Sequence, residues 1–215
     1  MAIHYTKGEE RANALSHGFG IFIGIIGGGY LLLIAMKSGN PWAVGGMWLY
    51  LFGMLSSYIS STWYHACKPS SPYREILRKF DHASIYLHIA GSYSPIMLVT
   101  LREVGYWGWG IFIFVWLCAI TGVTLCFRKL KEHSNIETIC YIAMGCSIFV
   151  AFKPLCGVVP SIFIYWLIGE GISYVTGAVF YTFHKLPYMH SVFHLFVLGG
   201  SICHMMALWY ILTAM

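Results

Sequence analysis

The chain is predicted to be an all-α integral membrane protein of seven transmembrane helices, with its N-terminus cytoplasmic and its C-terminus outside. Three observations predict this. Of its 215 residues 58% are hydrophobic and only 10% charged, and the mean hydropathy is +0.69. Apolar runs of about twenty residues recur along the whole length, the extent a helix needs to cross roughly 30 Å of hydrocarbon. The basic residues, finally, collect on alternate loops.

In chain order, residues 1–16 are polar and read as a short cytoplasmic segment, and 17–215 form a single seven-helix membrane domain. The first span, 17–36, is too long for the apolar core of a signal peptide and lacks a small-residue cleavage site after it, so it is expected to stay as a helix. The second, 43–65, follows the turn signal Ser38-Gly-Asn-Pro41, and the third, 82–101, follows Lys68-Pro-Ser-Ser-Pro72. The fourth, 106–127, opens among Trp107 and Trp109, which with Trp42 suit the membrane interface. The fifth, 136–152, is the shortest, the sixth covers 158–182, and the seventh, 190–212, follows Lys185-Leu-Pro187. Glycines inside the spans, such as Gly27, Gly28, Gly199 and Gly200, let helices approach closely.

Charge sets the orientation. Lys7, Arg11, Lys68, Arg74, Arg78, Lys79, Arg128, Lys129, Lys131 and Lys185 fall on one side of this frame, and Lys37, Arg102 and Lys153 on the other. Ten of the 13 basic residues are thus assigned to the cytoplasm. The net charge of +5 follows topology and gives no reason to expect nucleic acid. Seven cysteines without C-x-x-C spacing, most of them within spans, read as packing residues rather than a disulfide framework.

The chemistry lies in His190-Ser-Val-Phe-His194. An i, i+4 pair points both imidazoles the same way, as a helix does when it offers two nitrogens to one zinc. On the predicted frame His65 ends the second span at the same depth, and Asp81, the chain's one aspartate, begins the third. His65, His190 and His194 would be three metal ligands, with Asp81 to hold and deprotonate a water and Ser61, one turn from His65, to bond that water or a substrate carbonyl. Each residue also has a plainer reading. The histidines could be interfacial, Asp81 could cap its helix or balance Arg78 and Lys79, and Ser61 could bond within its own helix. Their convergence on one membrane face favours a metal site.

His88 and His204 continue the same stripes, roughly 10 Å and 21 Å deeper than Asp81 and His190 respectively. They could line a polar cavity or a proton path, but bonds between neighbouring helices are the favoured reading. Glu170 is mid-span, where a bare charge costs several kcal/mol, roughly 2.5–3.5 on insertion scales for Asp, so it should be protonated, paired or turned to a cavity.

Taken together, Glu10-x-x-Asn13-x-x-Ser16-His17, Ser61-x-x-x-His65, Phe80-Asp81-His82 and His190-x-x-x-His194 resemble the signature of the hemolysin III family, within the progestin and adiponectin receptor superfamily. The resemblance runs through essentially the whole chain, and the minimal N-terminal extension is similar to the bacterial branch. It implies seven helices with a cytoplasmic N-terminus in a bacterial plasma membrane. It further implies zinc held by His65, His190 and His194, with Asp81 reaching it through water. Glu170 stands where the family is expected to carry a small residue. Alkaline ceramidases in the wider superfamily make hydrolysis of a lipid amide or ester the expected reaction. The expected partners are therefore the bilayer and a lipid substrate, and no feature points to a particular soluble protein. A non-enzymatic regulator pinned by zinc is the alternative. A pore-forming cytolysin is the least favoured, since no export signal is evident.

Overall fold

Thr6 fixes where the first helix begins. Its hydroxyl accepts from the Glu9 N–H at 3.2 Å while the Glu9 carboxylate accepts from the Thr6 N–H at 2.8 Å, a reciprocal cap. The computed structural model describes residues 5–129, 135–183 and 185–215. Of the basic residues counted above, Lys131 and the side chain of Lys129 lie outside the described part. From the Thr6 cap, α1 runs over Lys7–Lys37 with one π-helical turn at Gly24–Gly28. Its first turns, polar in sequence, are continuous with the apolar stretch that starts at residue 17.

Helix α2, Pro41–Ala66, starts on the Asn40 side chain, which accepts from the Trp42 and Ala43 N–H groups at 3.0 and 3.4 Å. Helix α3 covers Arg74–Leu101, so it begins well before the predicted 82. Hydrophobicity marks only the part of a helix that lies in hydrocarbon, and the amphipathic turns of Arg74–Lys79 precede it. Asp81, expected at the start of this helix, therefore stands about two turns inside it, and the N-cap position is Tyr73. Capping is thereby excluded as the role of Asp81. The other helices are α4, Trp107–Lys129; α5, Ile136–Cys156; α6, Ser161–Thr182; and α7, Met189–Thr213. In α5 a tightened stretch, Cys146–Ala151, precedes Pro154, whose missing N–H cannot bond back along the helix.

Among the described residues there is no strand. All the helices except α2 are long and apolar enough to cross a membrane, six in number. Helix α2 is as long, but Gly, Ser and Tyr dilute its hydropathy. It lies inside the bundle, packed on α1 and, most extensively, on α3, and its Met47, Tyr50, Met54 and Tyr58 are wholly buried. The α2–α3 contact is made at backbone distance. A Cβ on Gly53 would collide with the Leu87 carbonyl, and one on Gly91 with the Leu49 carbonyl. Helices α6 and α7 form the second close pair. The outer surface is apolar, as at Phe19, Phe22 and Ile26 of α1 and Ile113, Leu117 and Ile120 of α4. An apolar exterior of this extent suits lipid and not water.

Polar residues turn inward instead. A cavity of about 600 Å³ opens among the helices, with His17, Ser61, Asp81, His194, Glu170 and His204 among the residues that line it.

Candidate metal centre

Three imidazoles meet beside this cavity, and two of them, His190 and His194, line it. His65 comes from the last turn of α2, His190 from the first turn of α7, and His194 from the next turn of the same helix. One ring nitrogen from each lies within 4.8 Å of the others, and the Nε2 atoms of His65 and His190 are 3.2 Å apart. His65 and His194 are almost completely buried, at 3% and 1% exposure.

The first turns of α1 fix the outward-facing nitrogens. His65 Nδ1 lies 2.7 Å from Glu10 Oε2, and the other oxygen of that carboxylate pairs with Arg74. Arg74 in turn donates to the carbonyls of Tyr64 and Cys67 at 2.7 and 2.6 Å, where α2 ends. A carboxylate paired with a guanidinium can only accept, so the His65 proton sits on Nδ1 and the Nε2 lone pair faces the cluster. His194 Nδ1 is 3.0 Å from Ser16 Oγ and 3.3 Å from the Asn13 carbonyl. Because the Ser16 hydroxyl donates to that same carbonyl at 2.9 Å, both partners accept, and His194 likewise turns a lone pair inward. Ser191 donates to Asn13 Oδ1 at 2.5 Å, tying α7 to α1.

This donor set fits a metal ion. With the His65 lone pair turned inward, the 3.2 Å approach of His190 Nε2 is favourable when a proton on His190 or a cation lies between the two nitrogens. Partners that lock the tautomer and orientation of each ligand are what a metal-binding histidine requires. The buried cluster of His65, His190 and His194 could therefore hold a metal ion.

Ring side chains pack around the cluster. The His17 ring stacks on His194, centroids 3.6 Å apart and 19° from parallel. Tyr5 packs against His190 and His65, with ring centroids 5.1 and 6.0 Å away. Burial first, and then the neighbouring Tyr181 and Tyr64, push the Tyr5 phenol above its ordinary range, so it stays neutral beside the histidines.

Ser61 and Asp81 line the same cavity as His190 and His194. The Ser61 hydroxyl is buried and has no partner among the described residues. Asp81 stands outside the tight group of nitrogens. Arg78, one of the charges it was a candidate to balance, pairs with Glu75 at 2.9 Å. Further along, His204 Nδ1 bonds Glu170 Oε2 at 2.8 Å, the kind of link between neighbouring helices expected of His204, and Glu170 is both paired and turned to the cavity. His88 instead keeps an unpartnered Nε2.

Sequence reasoning gave Glu10, Asn13, Ser16 and His17 no individual roles. Their signal was there, since spacings of three and four put them on one face of a helix, but only a helix that starts at Lys7 makes that face exist.

Residues 5–205 match the family described as Haemolysin-III related. Over 193 residues the chain is 38% identical to Hemolysin-3 of Bacillus cereus, an alignment that covers 90% of this chain and 87% of that protein. It is 34% identical to the Hemolysin-3 homolog of Bacillus subtilis (strain 168), with 92% and 91% covered. It is also 30% identical to the monocyte to macrophage differentiation factor of Homo sapiens, with 94% and 83% covered.

Proposed function

The chain belongs to the haemolysin III family, as a multi-pass bacterial membrane protein, and on that premise we propose that it is a zinc-dependent hydrolase of a membrane-lipid amide or ester. The observation that carries this reading is a three-histidine cluster beside an apolar cavity that also holds a carboxylate and an unpartnered hydroxyl. His65, His190 and His194 hold the metal. Three neutral imidazoles are a known zinc donor set, and one that leaves a fourth coordination position open. Zinc bound there supplies a Lewis acid that brings the pKa of water towards 7 and polarises a carbonyl.

The remaining roles fall to the chain's own side chains. Asp81, outside the nitrogen cluster but on the same cavity, reaches it through a water and accepts that water's proton as general base. Ser61 directs its free hydroxyl at the substrate carbonyl oxygen, which gains charge in the transition state. Glu10, Ser16 and Asn13 hold the His65 and His194 imidazoles in one tautomer, and His17 backs the His194 ring. Ile85, Ile89 and Leu167 of the cavity wall receive the hydrocarbon chain.

All of α1–α7 cross the membrane in this reading, with the N-terminus cytoplasmic, the C-terminus outside and residues 7–16 forming the cytoplasmic end of α1. Helix α2 is supported as a crossing by its 26 residues and by its place between α1 and α3. The positive-inside bias supports the orientation and puts the metal centre near the cytoplasmic face.

The test compares lipids of membranes carrying the parent protein, Asp81→Asn or His194→Ala. Free fatty acid from one lipid class should accumulate with the parent alone. Asp81→Asn should keep the parent's zinc content and lose turnover. Turnover of that variant at the parent rate would overturn the mechanism.

A further inference from the structure

The cavity carries polar side chains well away from the histidine cluster. Beyond the histidine cluster it is lined by His88 of α3, Glu170 of α6 and His204 of α7. None of these belongs to the metal centre. His204 is ten residues past His194 on one helix, hence roughly 15 Å further along its axis. Apolar side chains, among them Ile89, Phe193 and Val197, line the wall as well.

The second station is built but incomplete. His204 Nδ1 and Glu170 Oε2 bond each other at 2.8 Å. The Nε2 atoms of His204 and His88 have no partner among the described residues, although the residues are only 1% and 7% exposed. A buried polar atom left unpaired costs about 1–3 kcal/mol, so two of them on one cavity ask for a ligand. Hydrogen-bond capacity narrows the choice. A carboxylate could only accept there, and an ammonium only donate. A hydroxyl adds no charge, and it can donate to one imidazole nitrogen while it accepts from another.

We propose that His88, Glu170 and His204 form a second binding subsite, which takes a hydroxyl group at the far end of a lipid's hydrocarbon chain while the carbonyl end lies at the histidine cluster. The inference rests on the cavity's being the lipid site described above. Its test reads binding and not turnover, so the two can fail separately.

Full-length protein in detergent micelles with zinc is titrated with hexadecanoate, with hexadecanoate hydroxylated at its terminal carbon, and with the terminally aminated chain. Displacement of a fluorescent fatty acid gives each affinity. The three ligands share a head group and a chain length, so differences report the far end alone. The hydroxylated chain should bind about tenfold more tightly than the plain one, the worth of one or two net hydrogen bonds. In Glu170→Leu and His204→Leu that preference should vanish while plain hexadecanoate still binds, which also shows the cavity intact. The comparison within the parent protein needs no variant to fold. Equal affinities there would mean that the station holds only water and would overturn the proposal, as would a preference for the amine or failure of every chain to bind. A clear hydroxyl preference in a protein that releases no lipid product would overturn the hydrolase reading and leave this one standing.

Discussion

Glu10 holds His65 with one carboxylate oxygen and Arg74 with the other, and so joins three helices through one side chain. Its charge is what assigns the His65 proton. Glu10→Gln keeps the length and one acceptor but weakens both bonds and frees the amide to flip. Zinc affinity should fall about 10- to 100-fold, as it does when such outer partners are changed, while the ratio at saturation stays at one zinc per chain. Competition against a chromogenic chelator measures this, and an unchanged affinity would refute the orienting role. At this scale the cluster of three histidines was legible because an i, i+4 pair is a pattern and loop charge assigned three helix ends to one face. Spacing put Asn13 and Ser16 on one helix face, but the atoms they meet depend on the rotation of α1, which that spacing does not report.

Helices α2 and α3 touch through Gly53 and Gly91, where backbone faces backbone and nothing can rotate aside. Gly53→Val should cost about 3 kcal/mol, the upper part of the range for overpacking, and lower the Tm by roughly 6–12 °C for a chain of this size. Gly45 of the same helix faces open space, so Gly45→Ala should leave the Tm nearly unchanged. Thermal unfolding in detergent distinguishes the two, and equal shifts would refute the close-contact account. Six of the predicted spans coincide with helices long and apolar enough to cross a membrane and were legible from apolar run length, yet the starts of α1 and α3 were not. Lys7–Ser16 and Arg74–Phe80 are helical without being apolar throughout, and hydrophobicity cannot mark a helix outside hydrocarbon. The cap at Thr6, with Glu9 three residues on, was the readable clue to α1.

For the molecule as a whole, the testable quantity is its direction in the bilayer. In a cysteine-free background, Lys37→Cys should react with an impermeant thiol reagent on intact cells, and Lys68→Cys only after lysis. The reverse pattern would place the histidine cluster on the outer side and overturn the cytoplasmic assignment. The crossing proposed for α2 bears on biogenesis. A segment this rich in serine, glycine and tyrosine gains little from lipid on its own and would be held back at the translocon. Its wholly buried methionines and tyrosines, and its flush seam with α3, imply that the two leave the translocon together as a hairpin. On the proposed topology α2 would thus reach the bilayer already sheltered by a neighbour, and damage to that seam would first be seen as failed insertion during synthesis.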